Sequence, residues 1–314
     1  MTLSVVTPAL NQLGYLRQCV ANVARQPEVD EHLVSDGGST DGTLAFLEAA
    51  AAADSRVRFR SSPDQGMYDA LNLGFAETSG ELLGYLNCDD LLLPWAARLV
   101  VDAFARHPEA DVVYGDALEQ RGERWAVVVH PPPELLGAHL RAGGHLGQPA
   151  VFFRRRLLDR LGGFDHTLRL LGDHDLWLRA HSTAARFHKI WECLAVLRMV
   201  EGQLMEDQRA ADQERRRLLT REHGGLPTLG RRIAGRALSA SLHRAGIAAL
   251  VGAPALRRLA GRERRLPWGR TLCAGWLRPP GPAAALRALL GPSAGVRYLE
   301  LTPAGRRDLG IELD

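Results

Sequence analysis

Four short clusters in this sequence hold residue types able to bind ions or move protons. The densest is Asn87-Cys88-Asp89-Asp90, which follows the apolar run of residues 82–86. Carboxylates at a strand end, with a short amide two positions earlier, present hard oxygens to Mg2+ or Mn2+. An ion held there would bridge the diphosphate of a nucleotide and neutralise charge on a departing phosphate. The same residues also fit a turn in which Asp89 or Asp90 caps a helix beginning near Pro94. The second cluster, Asp36-Gly37-Gly38-Ser39-Thr40-Asp41-Gly42, has glycines for a sharp turn and side chains that can cap the next helix. Asp36 would be left free at a strand end to accept bonds from a base N–H or a ribose hydroxyl; a purely structural turn fits equally. In the third, residues 63–74, Asp69 and Asn72 are three apart and share a helix face. Asp64 precedes that helix and reads as a site residue or as its cap. The fourth is Gly172-Asp173-His174-Asp175, where Asp173 and Asp175 open an amphipathic helix. A carboxylate at a helix N-terminus is stabilised as an anion, so Asp173 suits a general base or an N-cap. His174, one residue on, points away from the Asp173 face and reads as a spectator.

These clusters need a scaffold that brings them together. Short β-branched or apolar runs at residues 3–7, 31–35, 57–61 and 82–86 read as strands, and another begins at 112–114. Helical periodicity lies between them at 13–25, 43–53, 67–78 and 94–106. Strands alternating with helices of this length predict βαβ units and an α/β fold with a mostly parallel sheet flanked by helices. Ligands bind such sheets at the carboxyl ends of the strands, and the polar clusters fall there. Neither a G-x-x-x-x-G-K-[ST] phosphate loop nor a G-x-G-x-x-G fingerprint is present, which excludes P-loop and Rossmann dinucleotide chemistry.

Composition narrows the class. A chain of 314 residues, 46% hydrophobic and 24% charged, is ordinary for one large or two modest globular domains and excludes wholesale disorder. Cys19, Cys88, Cys193 and Cys273 are far apart without a C-x-x-C pair, which argues against a disulfide scaffold or structural zinc. There is no signal-like N-terminus and no apolar window of the roughly 18 residues needed to span a bilayer. The longest apolar stretch, 245–256, contains Pro254, so a cytoplasmic protein is expected. The net charge of +3 is too small to imply a nucleic-acid partner, but it is unevenly spread. Residues 209–314 carry 20 arginines against 8 acidic residues and read as a basic, mainly helical extension. Arginine and leucine alternate at 229–250 and 282–290, and Trp268 and Trp276 flank basic residues as interfacial anchors would. Peripheral contact with an anionic membrane surface is one expectation; a solvated arginine-rich appendage is the other.

Taken together, VVTPALNQ, VSDGGSTDGT, PDQGMYDALNLGFAETSGELLGYLNCDD, QPAVFFRR and GGFDHTLRLLGDHDLWLR occur in an order and spacing that resembles the inverting glycosyltransferases of family 2. The similarity is to the bacterial group that builds surface polysaccharides and glycolipids, and it covers residues 2–198. It implies a GT-A fold over residues 1–208, with a nucleotide-binding half at about 1–116 and an acceptor half at about 117–208. It further implies that Thr7, Pro8 and Ala9, together with Asp36, hold the nucleoside of a nucleotide-sugar donor. Asp64, Asp69 and Asn72 would border base, ribose and phosphates, and Gln148 would lie near the donor sugar. The family's D-x-D metal motif falls on Asn87-Cys88-Asp89, leaving Asp89, with neighbouring Asp90, as ligands for Mg2+ or Mn2+. Its Glu-Asp pair, which carries the catalytic base, falls on Gly172-Asp173. The acceptor would be a hydroxyl of a glycan or a lipid-linked sugar. A non-catalytic sugar-nucleotide binder of the same fold is the competing expectation.

Overall fold

The computed structural model describes residues 1–122, 124–200, 203, 207–223, 277–278 and 300–301. The segments 229–250, 245–256 and 282–290, with Trp268, Trp276 and Cys273, lie outside the described residues.

β1 (Leu3–Ala9), β2 (Glu31–Asp36), β3 (Val57–Ser61) and β4 (Leu82–Tyr85) alternate with α1 (Leu13–Ala24), α2 (Thr43–Ala53) and α3 (Met67–Ala76), as the hydrophobic pattern predicts. They pair in parallel in the order β3-β2-β1-β4. Every residue of β1 and β2 is buried, which fits strands covered on both faces. Beyond β4 the sheet becomes mixed. After the short β5 (Leu91–Leu92) and α4 (Ala96–Arg106), β6 (Val112–Arg121) and β7 (Arg124–Val128) form a hairpin, and α5 (Pro133–Arg141) follows. β8 (Val151–Arg154) runs antiparallel to both β4 and β6 and so bridges them, while β9 (Phe187–Arg198) lies parallel to β6 and pairs antiparallel with β5. The full order is β3-β2-β1-β4-β8-β6-β9-β5, with β7 on β6.

Strand alternation divides the core into two layers. Val6, Leu83, Val112 and Phe153 point to one face, where α3, α5, α6 (Arg155–Leu161) and α7 (Gly172–Ser182) supply Leu71, Phe75, Leu136, Leu157 and Trp177. Their sequence neighbours Val5, Leu82, Val113 and Phe152 point to the other, against Cys19 and Val23 of α1 and Val100 and Phe104 of α4. The period of two along each strand dictates this split. α8 (Gln208–His223) sets Ala211 and Leu218 against Leu170 and Leu171, the residues leading into α7. Among the described residues no helix is long and apolar enough to cross a membrane.

Candidate active site

The carboxyl ends of β1 and β2 are knitted together by their own polar groups. Asn11 adopts a positive φ of 51°, which an asparagine tolerates, and its Oδ1 accepts the Thr40 N–H at 2.8 Å. Asp41 accepts the N–H groups of Leu13 and Thr43, tying the start of α1 to that of α2. Asp36, expected to be free, is not. Its carboxylate accepts bonds from the N–H groups of Gly38 and Ser39 and the hydroxyls of Ser39 and Ser61. Thr7 likewise turns inward, with Oγ1 2.9 Å from His32 Nε2. The carbonyls of Pro8 and Ala9 accept from Cys88 Sγ and Gly37 N–H. The loop closure that brings these residues to the sheet edge therefore uses up most of their bonding capacity.

Asp64 is different. Its Oδ1 accepts the Gly66 N–H at 2.8 Å, the expected cap-like turn, but its Oδ2 has no hydrogen-bond partner among the described residues. Gly37 makes room for it, since a Cβ there would stand 2.7 Å from that oxygen. Asp69 accepts the Gln65 N–H at 2.9 Å and so stabilises the turn into α3. Asn72 is engaged elsewhere: its amide makes reciprocal 2.9 Å bonds with the backbone of Phe164 and clamps the Gly162-Gly163-Phe164 loop. The spacing of Asp69 and Asn72 holds on the helix, but the loop that packs on Asn72 comes from 92 residues downstream.

At the end of β4, the carbonyl of Tyr85 accepts a bond from the side-chain amide of Gln148, and Gln148 Oε1 is buried without a partner among the described residues. The Asn87–Asp90 turn follows. It does not cap a helix: α4 begins at Ala96 with no side-chain cap. Asp90 is tethered instead to β9, its Oδ1 accepting the Arg198 N–H at 3.0 Å. Burial, reinforced by the adjacent Asp89 charge, pushes its carboxyl well above the usual range. Asp89 has an oxygen bonded to the Gln203 amide, while its backbone carbonyl accepts from the Arg198 guanidinium. Asn87 Oδ1 is buried and has no partner among the described residues. Asn87 and Asp89 thus supply hard oxygens of the kind a divalent cation takes, while Asp90 is engaged with the backbone of β9. Among the described residues no group of three or more His, Cys, Asp or Glu side chains could hold a metal ion unaided. A small oxygen set is what Mg2+ uses when substrate phosphates complete its shell.

Asp173 lies in the first turn of α7. It is not the N-cap of the helix, a place held by Leu171. Oδ1 accepts the neighbouring His174 N–H at 2.7 Å and lies 3.3 Å from the Tyr68 hydroxyl, which donates to it. The carboxyl is half-buried and its pKa is pushed up to about 6 by desolvation, against the lowering effect of those two bonds. His174 turns into the interior beside His145, with ring centroids 4.9 Å apart, and neither of its ring nitrogens has a hydrogen-bond partner among the described residues. Burial holds it well below the usual histidine range, hence neutral. The phenol of Tyr85 is raised first by burial, then by the charges of Asp173 and Asp90. The rings link the two distant motifs: Tyr68, bonded to Asp173, stacks on Phe164, and Phe164 meets Tyr85 edge-on, each pair with centroids 5.6 Å apart; Tyr85 lies two residues before the Asn87–Asp90 turn.

Residues 4–161, half of the chain, match the sequence model of Glycosyl transferase family 2. The chain belongs to this family. Over 186 residues it is 33% identical to a PGL/p-HBAD biosynthesis glycosyltransferase of Mycobacterium bovis, covering 58% of this chain and 70% of the relative. Over 261 residues it is 33% identical to the O-antigen biosynthesis protein RfbC of Myxococcus xanthus, covering 81% of this chain but 19% of that one. Among solved structures, the mannosyltransferase PcManGT of Pyrobaculum calidifontis, in complex with GDP-Man and Mn2+, aligns with a TM-score of 0.58 at 18% identity over 92% of this chain and 81% of that one. Residues 1–349 of S. aureus TarS, in complex with UDP-GlcNAc, align with a TM-score of 0.58 at 17% identity over 84% and 76%. At these identities the likeness is one of fold, and it is the GT-A type.

In this glycosyltransferase several residues at the site carry little signal in the sequence. Tyr68 and Tyr85 read as core aromatics, which they also are; a hydroxyl on a buried ring next to an acidic cluster is the available sign. Arg198 and Gln203 touch Asp89 from beyond the last strand-helix repeat, and no local pattern marks them.

Proposed function

We propose that this family 2 glycosyltransferase moves a sugar from a nucleoside-diphosphate sugar to a hydroxyl of a glycan or lipid-linked acceptor, with inversion at the anomeric carbon. The observation that carries this is the convergence at Tyr85. Gln148 binds its carbonyl, the Asn87–Asp90 turn follows it, and its ring packs on Phe164, which stacks on Tyr68, the partner of Asp173. The names of the relatives in glycolipid and O-antigen biosynthesis, and the nucleotide-sugars in the solved neighbours, support the substrate classes.

The residues divide the work by chemistry. Asp64 Oδ2 is the acceptor best placed to meet a nucleoside N–H or hydroxyl; Asp36, Thr7, Pro8 and Ala9 shape the loop it faces. Asn87 and Asp89 would hold Mg2+ or Mn2+, which when bound stabilises the charge of the diphosphate leaving group. Gln148 Oε1, buried and lacking a bond, suits a hydroxyl of the donor sugar. Asp173 takes the acceptor's hydroxyl proton while the new glycosidic C–O bond forms opposite the breaking C–O bond to the diphosphate. Its raised pKa suits the role, because a base poised near working pH is ionised yet basic enough to accept the proton. The arginine excess of residues 209–314 supports placement at an anionic membrane surface, where each such charge near the lipid contributes about 1 kcal/mol.

The test has two parts. Thermal shift with Mn2+ across UDP-, GDP- and dTDP-sugars should single out one donor class, since saturation at about 100 times Kd stabilises by about 2.7 kcal/mol. Asp173→Asn should keep that donor-induced shift and lose transfer by a factor of about 10²–10⁴. Wild-type turnover in this variant would remove Asp173 as the base.

A further inference from the structure

The proposed base is bonded by a side chain of α3, and the turn before it is held by a side chain of α8. Tyr68, in the first turn of α3, is 2% exposed and stacks on Phe164 with ring centroids 5.6 Å apart. Its hydroxyl lies 3.3 Å from Asp173 Oδ1 and 3.1 Å from the Leu170 carbonyl oxygen, so one proton faces two acceptors. Gly172 permits this approach, since a Cβ there would stand 2.7 Å from carbons of the Tyr68 ring. The ring therefore fills the space that a side chain at position 172 would occupy. Leu170 is itself fixed from α8. Glu214 accepts the backbone N–H groups of Arg169 at 2.8 Å, Leu170 at 2.9 Å and Leu171 at 3.0 Å. Ala211 and Leu218 hold α8 against Leu170 and Leu171, and Arg221 pairs with Asp165 at 3.0 Å and with Asp175.

We propose that Tyr68 is the positioning residue of Asp173, and that Glu214 fixes the second acceptor that lets the Tyr68 hydroxyl stay bonded in both protonation states of the base. The inference rests on the reading of Asp173 as the base. While Asp173 is ionised, Tyr68 donates to Oδ1. The acceptor's proton arrives on Oδ2, the oxygen with no hydrogen-bond partner among the described residues, and the neutral acid leaves Oδ1 a weaker acceptor. The Tyr68 O–H then turns to the Leu170 carbonyl. No proton moves between Tyr68 and Asp173; the hydroxyl only rotates. A buried donor with no second acceptor would resist this change, which is why the Leu170 carbonyl has to be held. Among the described residues the other titratable side chain near Asp173 is Tyr85 from β4, and its phenol is held neutral by burial; His174 faces toward His145.

Site-specific carboxyl 13C titration of Asp173 in the full chain tests this without needing the donor. Tyr68→Phe keeps the ring and removes only the O–H that favours the carboxylate, so the Asp173 midpoint should rise by about half a unit or more. Glu214→Gln loosens the 169–171 turn and admits water, so the midpoint should fall toward the ordinary carboxylate range. Once the donor is known, both variants should lose about tenfold in kcat with donor KM within about twofold, the pattern expected when positioning rather than binding is lost. An Asp173 midpoint that is unchanged in Tyr68→Phe overturns the proposal, and that variant decides the matter alone should Glu214→Gln not fold. Asp173→Asn separates the two ideas. If it is inactive while Tyr68→Phe and Glu214→Gln match wild type, only the positioning fails; if it is active, the base assignment fails.

Discussion

In the proposed mechanism Asp173 and Asp89 are chemically identical side chains given different tasks by their surroundings. Desolvation raises Asp173 to about 6, and only the ionised form can take a proton. The rate under kcat/KM conditions should therefore be flat above about pH 6.5 and fall about tenfold per unit below pH 5.5, the acid limb reporting the free enzyme's base. A limb near pH 4 would contradict this environment. Asp89 should act through the ion alone. Asp89→Ala should abolish the Mn2+-dependent part of donor-induced thermal stabilisation and leave the metal-free melting temperature within about 2 °C, because among the described residues the carboxylate's hydrogen-bond partner is one side-chain amide, that of Gln203. Both aspartates are legible in the sequence by their place after a strand and at a helix start. Asp36 and Asn72 are equally conspicuous there, yet the carboxylate is spent on backbone N–H groups and serine hydroxyls and the amide on backbone.

At the level of elements, the site depends on loops pinned to helices far away in the chain. Asn72 is the clearest case, since one amide on α3 satisfies both the N–H and the C=O of Phe164. Phe164 in turn lies against Tyr68, Phe75 and Tyr85, so the clamp fixes the aromatic packing beside the candidate site. Asn72→Ala should destabilise by about 1–3 kcal/mol, read from urea unfolding, because two backbone groups lose their partners. The strands and helices of the first half are predictable almost to the residue, as local periodicity decides them. β5 leaves no such trace, because two residues, Leu91 and Leu92, are strand only by pairing with Val196 and Ala195 more than a hundred residues later.

For the molecule as a whole, the division expected at residue 208 bears on what the catalytic unit contains. α8 lies beyond that boundary and beyond the family match, yet Leu218 is 1% exposed and packs on the residues leading into α7. Leu218→Ala should therefore behave as a core substitution and destabilise by about 2–5 kcal/mol. A change within about 0.5 kcal/mol, measured by denaturant midpoint, would mark α8 as an appendage. We infer that the folded catalytic unit runs at least to the end of α8.

The sequence by itself determined the alternating α/β scaffold, the family, and the polar clusters at the carboxyl ends of the first four strands. These are set by periodicities of two and 3.6 and by turn chemistry, all local along the chain. Only the tertiary structure decided which of those polar groups remain available. A side chain's hydrogen-bonding capacity is consumed by whichever backbone packs against it, and for Asp36, Asn72, Asp90 and Asp173 that backbone or hydroxyl comes partly or wholly from another element.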